Sequence, residues 1–223
     1  MLARVGHRLP APGEARLVDP TWGGMRVLAA VRGQSVRLLC DGRDVAAEFP
    51  HIVASLAALD LPDAVLDGEI VGPGAVRRAL AAHRPPSSGA PPSLVISDLP
   101  WFGGRARIAE HLVQRRVRLA GLAISGPHLV VVEAASGAEA VLQVVALHGL
   151  IGIVVKRADS PYLPGLRSRL WTLVRVADLQ AAAIAAGRDM VDERAHDGMT
   201  DAAAGAARPD IALLRRLPLG EEA

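Results

Sequence analysis

Two β-rich runs, 25–31 and 35–40, are separated only by Arg32-Gly33-Gln34, and a connection that short joins antiparallel neighbours. This hairpin limits the fold more than any other feature of the chain. Further strands are expected at 64–71, 94–97, 129–132, 152–156 and 169–176, and helices at 49–59, 75–83, 108–119 and 138–147. In the first helix Phe49, Ile52, Val53, Leu56 and Leu59 fall on one face. Residues 1–20, broken by Pro10, Pro12 and Pro20, are expected to be irregular, and 85–92 a loop. Strands and helices interleave irregularly around a hairpin, which favours an α+β fold over a doubly wound parallel sheet.

A hydrophobic share of 51% and a charged share of 22% suit a globular chain and argue against wholesale disorder. The formal charge of +2 selects no partner. Cys40 is the only cysteine, so neither an intrachain disulfide nor a cysteine-clustered zinc site can form, and the seven histidines show no metal-ligand spacing. The longest uncharged apolar run, 140–155, is shorter than the roughly 20 residues of a membrane span. Residues 1–13 lack the apolar centre of a signal peptide. A soluble cytoplasmic protein without a membrane partner is expected. After Asp178 the composition shifts. An Ala-rich helix is expected at 178–187, a linker-like stretch at 188–207 and a last helical turn at 211–217, which divides the chain into a domain at 1–177 and a helical or partly disordered tail at 178–223.

Lys156 is the only lysine among 25 lysine and arginine residues, so lysine-dependent covalent chemistry has one available position. Asp67 and Glu69, two apart on a strand, share a face. The run Arg115-Arg116-Val117-Arg118 reads as a solvated helix face, and Trp22, Trp101 and Trp171 as core anchors.

Five segments in order carry a resemblance. Pro20-Thr21-Trp22-Gly23-Gly24-Met25-Arg26 is similar to a Pro-Lys-Trp-Asp-Gly-x-Arg motif. Asp41-Gly42-Arg43-Asp44 with Phe49-Pro50 follows, then Asp67-Gly68-Glu69, then 95–101. The longest runs from Gly149 through Gly152, Lys156, Asp159-Ser160-Pro161-Tyr162 and Pro164-Gly165 to Arg169-Leu170-Trp171. Together, over about 17–177, they resemble the adenylation domain of bacterial ATP-dependent DNA ligases, in the nucleotidyltransferase group that includes mRNA capping enzymes. The resemblance implies two antiparallel-rich sheets with flanking helices.

It also implies a chemistry in which a lysine amine attacks the α-phosphate of ATP, assisted by Mg2+ and basic residues. In this chain the nucleophile's position holds Thr21. The aspartate two residues on is Gly23, the metal-supporting glutamate is Ile151, the two lysines of a Lys-x-Lys pair are Leu173 and Arg175, and an adenine-stacking phenylalanine is Ser97. By the same resemblance Arg26, Glu69, Lys156 and Arg175 bind nucleotide and Glu69 also supports metal. The five-stranded OB-fold that follows this domain in DNA ligases is not read in 178–223. Three functions stay open: a catalytically impaired ligase homologue with weak ATP or DNA binding, a working DNA ligase module in DNA repair, and a non-catalytic domain that binds a partner such as a DNA-repair protein.

Overall fold

The computed structural model describes residues 1–7, 15–72, 91–133, 141, 142, 145 and 150–178. The expected hairpin is present as β3 (Met25–Arg32) and β4 (Ser35–Cys40). It is part of a seven-stranded sheet that also contains β5 (Arg43–Asp44), β6 (Ala64–Val71), β7 (Ser93–Phe102), β8 (Arg105–Ala106) and β9 (Leu129–Val131). Its order is β5-β4-β3-β6-β7-β8, with β9 pairing β7. Along β3 every second residue, Met25, Val27, Ala29 and Val31, is buried, as a strand with one face on a core requires. Those residues meet Leu66, Ile70, Leu94 and Ile96 from the neighbouring strands.

Helix α1 (Pro50–Ala57) covers that core with Ile52 and Leu56. It begins at Pro50, a residue whose fixed φ and missing N–H suit a first helical position. Helix α2 (Leu112–Gly121) lies against β7. His111 and Gln114 close a reciprocal cap at its start, with the His111 N–H donating to Gln114 Oε1 at 3.0 Å.

The second sheet corrects the expectation for residues 1–20. Both β1 (Leu2–Gly6) and β2 (Arg16–Thr21) are strands, joined by β10 (Gly152–Arg157) and β11 (Arg167–Arg175) in the order β1-β11-β10-β2. Pro20 argued against a strand, but β2 is an edge and an edge residue can lack a donor without breaking the ladder. All pairings in the two sheets are antiparallel except β1 with β11 and β7 with β9. The α+β reading with two antiparallel-rich sheets therefore stands. One face of the smaller sheet, Val18, Ile153, Val155 and Val174, packs on Val141 and Val145, which belong to the helix expected at 138–147. The helices expected at 75–83 and 211–217, most of that at 178–187 and the linker at 188–207 lie outside the described residues. No helix among the described residues is long and apolar enough to cross a membrane.

Candidate functional site

The site lies where the second face of each sheet meets the other. In the smaller sheet, strand register sets three rows across β2, β10 and β11: Thr21–Gly152–Arg175, Asp19–Val154–Leu173 and Leu17–Lys156–Trp171. Cross-strand partners share a face, so the single lysine lines up with Thr21, Gly152, Trp171, Leu173 and Arg175, five positions named by the resemblance. From the larger sheet β3 and β6 bring Arg26 opposite Glu69, and the alternation that buries Leu66 and Ile70 turns Asp67 and Glu69 toward the same side as Arg26. Tyr162 bridges the sheets, its hydroxyl bonded to the Arg26–Asp67 pair and its ring meeting Trp171 edge-on at 6.3 Å.

The cations here are already matched by carboxylates of the same chain. Arg26 grips Asp67 with two donors, at 3.0 and 2.6 Å, and also donates to the Tyr162 oxygen at 3.0 Å. The Tyr162 hydroxyl donates to Asp67 Oδ2 at 2.9 Å. Burial pulls the Arg26 guanidinium down, but its hydrogen bond and charge contact with Asp67 more than offset that and hold it above its ordinary value. Burial, and then the Asp67 charge, push the Tyr162 phenol well up, so it keeps the proton it gives to Asp67 while its oxygen accepts from Arg26.

Lys156 is 4% exposed. Its Nζ lies 2.6 Å from Asp19 Oδ2 and 4.3 Å from the centre of the Trp171 ring. The Asp19 approach is poorly aligned for a hydrogen bond, so it is a charge contact. The other Asp19 oxygen takes Arg116 Nη2 at 2.9 Å, and Arg116 also donates to the carbonyl of Ser97. Beside this triad Asp98 and Arg115 form a two-donor pair at 2.8 and 2.9 Å with both side chains fully buried.

Glu69 is held differently. It accepts the Gly24 N–H at 3.1 Å, with the Thr21 side chain close by. Burial raises its pKa, against the opposing pulls of the Gly24 N–H, the Lys156 charge and the Thr21 hydroxyl. Arg175 and Arg169 are both exposed.

Among the residues expected to act, the structure thus brings together Thr21, Arg26, Glu69 and Lys156 and leaves Arg175 at the rim. Sequence reasoning missed Asp19, Asp98, Arg115 and Arg116. The run at 115–118 is no solvated face: Arg115 and Arg116 are 0% and 6% exposed, while Val113 and Val117 point outward at 40% and 69%. The spacing Leu112, Arg115, Arg116, Leu119 is the i, i+3, i+4, i+7 pattern of an inward stripe, and it was the signal available. Of the three tryptophans only Trp171 is a buried anchor; Trp101 is 40% exposed and Trp22 is half-buried.

The metal fits poorly. Glu69 is the one carboxylate beside the Thr21–Gly24 turn named by the resemblance, since Gly23 and Ile151 supply none. No group of three His, Cys, Asp or Glu side chains among the described residues is arranged to hold a metal ion.

Comparison with known proteins agrees with the fold and the motifs. The family model described as an ATP dependent DNA ligase domain matches residues 10–174. The multifunctional non-homologous end joining protein LigD of Mycolicibacterium smegmatis is 29% identical over 197 residues, covering 84% of this chain and 25% of that protein. The crystal structure of the ligase domain from M. tuberculosis LigD superposes with a TM-score of 0.63 at 29% identity, over 78% of this chain and 58% of that one. A mycobacterial DNA ligase D complexed with ATP and MES gives a TM-score of 0.64 at 27% identity, over 78% and 60%. The chain therefore spans about a quarter of that LigD protein and about three-fifths of the solved domains.

Proposed function

The chain belongs to the family of ATP-dependent DNA ligase domains, and we propose that it is a member that has lost the covalent step and binds ATP and DNA weakly. The observation that carries this reading is the fate of the nucleophile. Thr21 stands at the lysine's position, beside Glu69. A threonine hydroxyl is a weak nucleophile, and it ends several atoms closer to the backbone than a lysine amine. The only lysine, Lys156, is buried between Asp19 and Trp171 rather than free to take over.

The same pairing supports weak nucleotide binding. Arg26, Lys156, Glu69 and Arg175 are the groups that would hold ATP, and ATP supplies an activated phosphoanhydride. Its phosphates would have to compete with Asp67 for Arg26 and with Asp19 for Lys156. Each competition takes a cation from a buried carboxylate, a costly exchange away from water. Calorimetric titration with ATP should give a Kd no tighter than about 1 mM, a binding free energy of about −4 kcal/mol. A submicromolar Kd would overturn the reading. Location in the cytoplasm and action beside DNA-repair proteins belong to the same proposal.

A second reading, a domain that serves only to bind a protein partner, is favoured by one observation. Ile151 and Leu173 place apolar side chains where the resemblance puts a carboxylate and a cation, and Ile151 is 45% exposed. An ATP titration with no heat at all would move the balance to it.

A further inference from the structure

Two histidines far apart in sequence meet on the side of the larger sheet that α1 covers. His51 is the second residue of α1 and His128 leads into β9; their rings touch edge to face, with centres 4.9 Å apart and planes at 84°. Both are half-buried. Neither ring is loosely placed. The His51 Nε2–H donates to the carbonyl of Pro92, just before β7, at 2.9 Å. His128 has a φ of +65°, in the left-handed region. Its carbonyl takes the Leu94 N–H at 2.8 Å, where the parallel pairing of β7 with β9 begins.

No opposite charge offsets the pair. His51 is the only titratable residue of α1, while β9 and the stretch of β7 it pairs with, Leu94–Ile96, have none. The short 3-10 helix Ala46–Glu48 and β4 also pack on α1. Their charged side chains, Glu48 and Arg37, are taken by Arg43 and Asp44, and burial keeps the Cys40 thiol protonated. Among the described residues no carboxylate pairs with either ring.

We propose that His51 and His128 form a proton-sensitive joint, which holds α1 beside the β7–β9 pair while the rings are neutral and loosens as both become charged. The proposal lies outside the nucleotide reading and does not rest on it. Two protonated rings with centres 4.9 Å apart repel. Even at the dielectric constant of water that repulsion lowers the folding equilibrium constant about fourfold. Burial, and then the His51 charge, hold the His128 imidazole below its ordinary value. A histidine whose pKa is lowered by folding gives its full stability above the unfolded value, about 6.5, and loses it as the pH falls through the folded value. The joint therefore works on the acid side of neutrality.

A double-mutant cycle of His51→Gln and His128→Asn, read by urea unfolding at about pH 7.5 and about pH 5, spans the ordinary histidine value. Glutamine can still donate to Pro92, and asparagine tolerates a positive φ. Carboxylates elsewhere titrate alike in all four proteins and cancel. The coupling between the two histidines should become about fourfold less favourable in the folding constant at the lower pH. A coupling that does not change with pH would overturn the proposal. If a variant does not fold, imidazole NMR titration of the wild-type protein decides. Two rings that titrate as a coupled pair, one of them below the ordinary range, would support the joint; two that titrate independently at ordinary values would overturn it. Tight ATP binding or lysyl-AMP would overturn the proposed function and leave the joint untouched.

Discussion

At the residue scale the site is governed by who pairs with whom. Asp19 serves two buried cations, Lys156 and Arg116, so its loss strands both. Asp19→Ala should therefore destabilise the fold by about 3–5 kcal/mol in urea melts, as removing one partner of a buried ion pair does. Lys156→Met should cost clearly less, because Asp19 keeps Arg116 and the methionine can still pack on Trp171. An equal cost for the two would show that Lys156, not Asp19, is the hub. Glu69 gives a test of opposite sign. Folding raises the pKa of its carboxyl above that of the unfolded chain, chiefly through burial. That contribution to stability is complete below the unfolded carboxylate range and is lost as the pH rises through the folded value. Glu69→Gln should thus have a higher Tm than wild type near pH 7, with the gain shrinking toward about pH 4, below the ordinary glutamate value. A Tm lowered equally at both pH values would mean that the charged form is the one the site favours.

At the scale of elements, α2 shows what the sequence conveyed and what it withheld. Its existence and its spacing were legible, and so was the β3–β4 hairpin, because period and turn length are local properties. Which face of α2 points inward was misread, since arginine is rarely buried and it is Asp19 and Asp98, outside the helix, with the carbonyls of Ser97, Glu110 and Ser160, that make it tolerable here. Arg115→Leu should cost about 3–5 kcal/mol by leaving Asp98 alone in the core, whereas Val117→Asp on the exposed side should fall within about 0.5 kcal/mol of wild type. Chemical denaturation of both variants would check the assignment, and the reverse ranking would restore the solvated-face reading. The strand at 16–21 was missed for a related reason: a proline reads as a break until it is known that the strand is an edge. Gly152, quoted only as part of a motif, has a steric reason to be glycine. A β-carbon there would meet the Val174 carbonyl at 2.2 Å, so β10 and β11 approach this closely only with glycine.

At the scale of the whole molecule, two sheets are held together across the site by Tyr162, Arg116 and the carboxylates they touch. The replacements Thr21, Gly23 and Ile151 and the closed ion pairs all act against the same chemistry. The replacements could be read from motif order alone. The closed pairs could not, because they depend on contacts such as Lys156 with Asp19, which no local pattern reports. With its cations paired internally, the domain should bind nicked DNA only weakly, through exposed arginines. That affinity should fall steeply between about 50 and 200 mM salt, as counterion release dictates, and salt-resistant binding in a gel-shift titration would contradict it. The central claim, that the covalent step is lost, is tested most directly by incubating the protein with α-labelled ATP and Mg2+ or Mn2+ and measuring acid-labile, amine-linked AMP on the chain. The predicted result is no label above that of a Lys156→Ala control; a labelled wild-type band that disappears in that control would contradict the account.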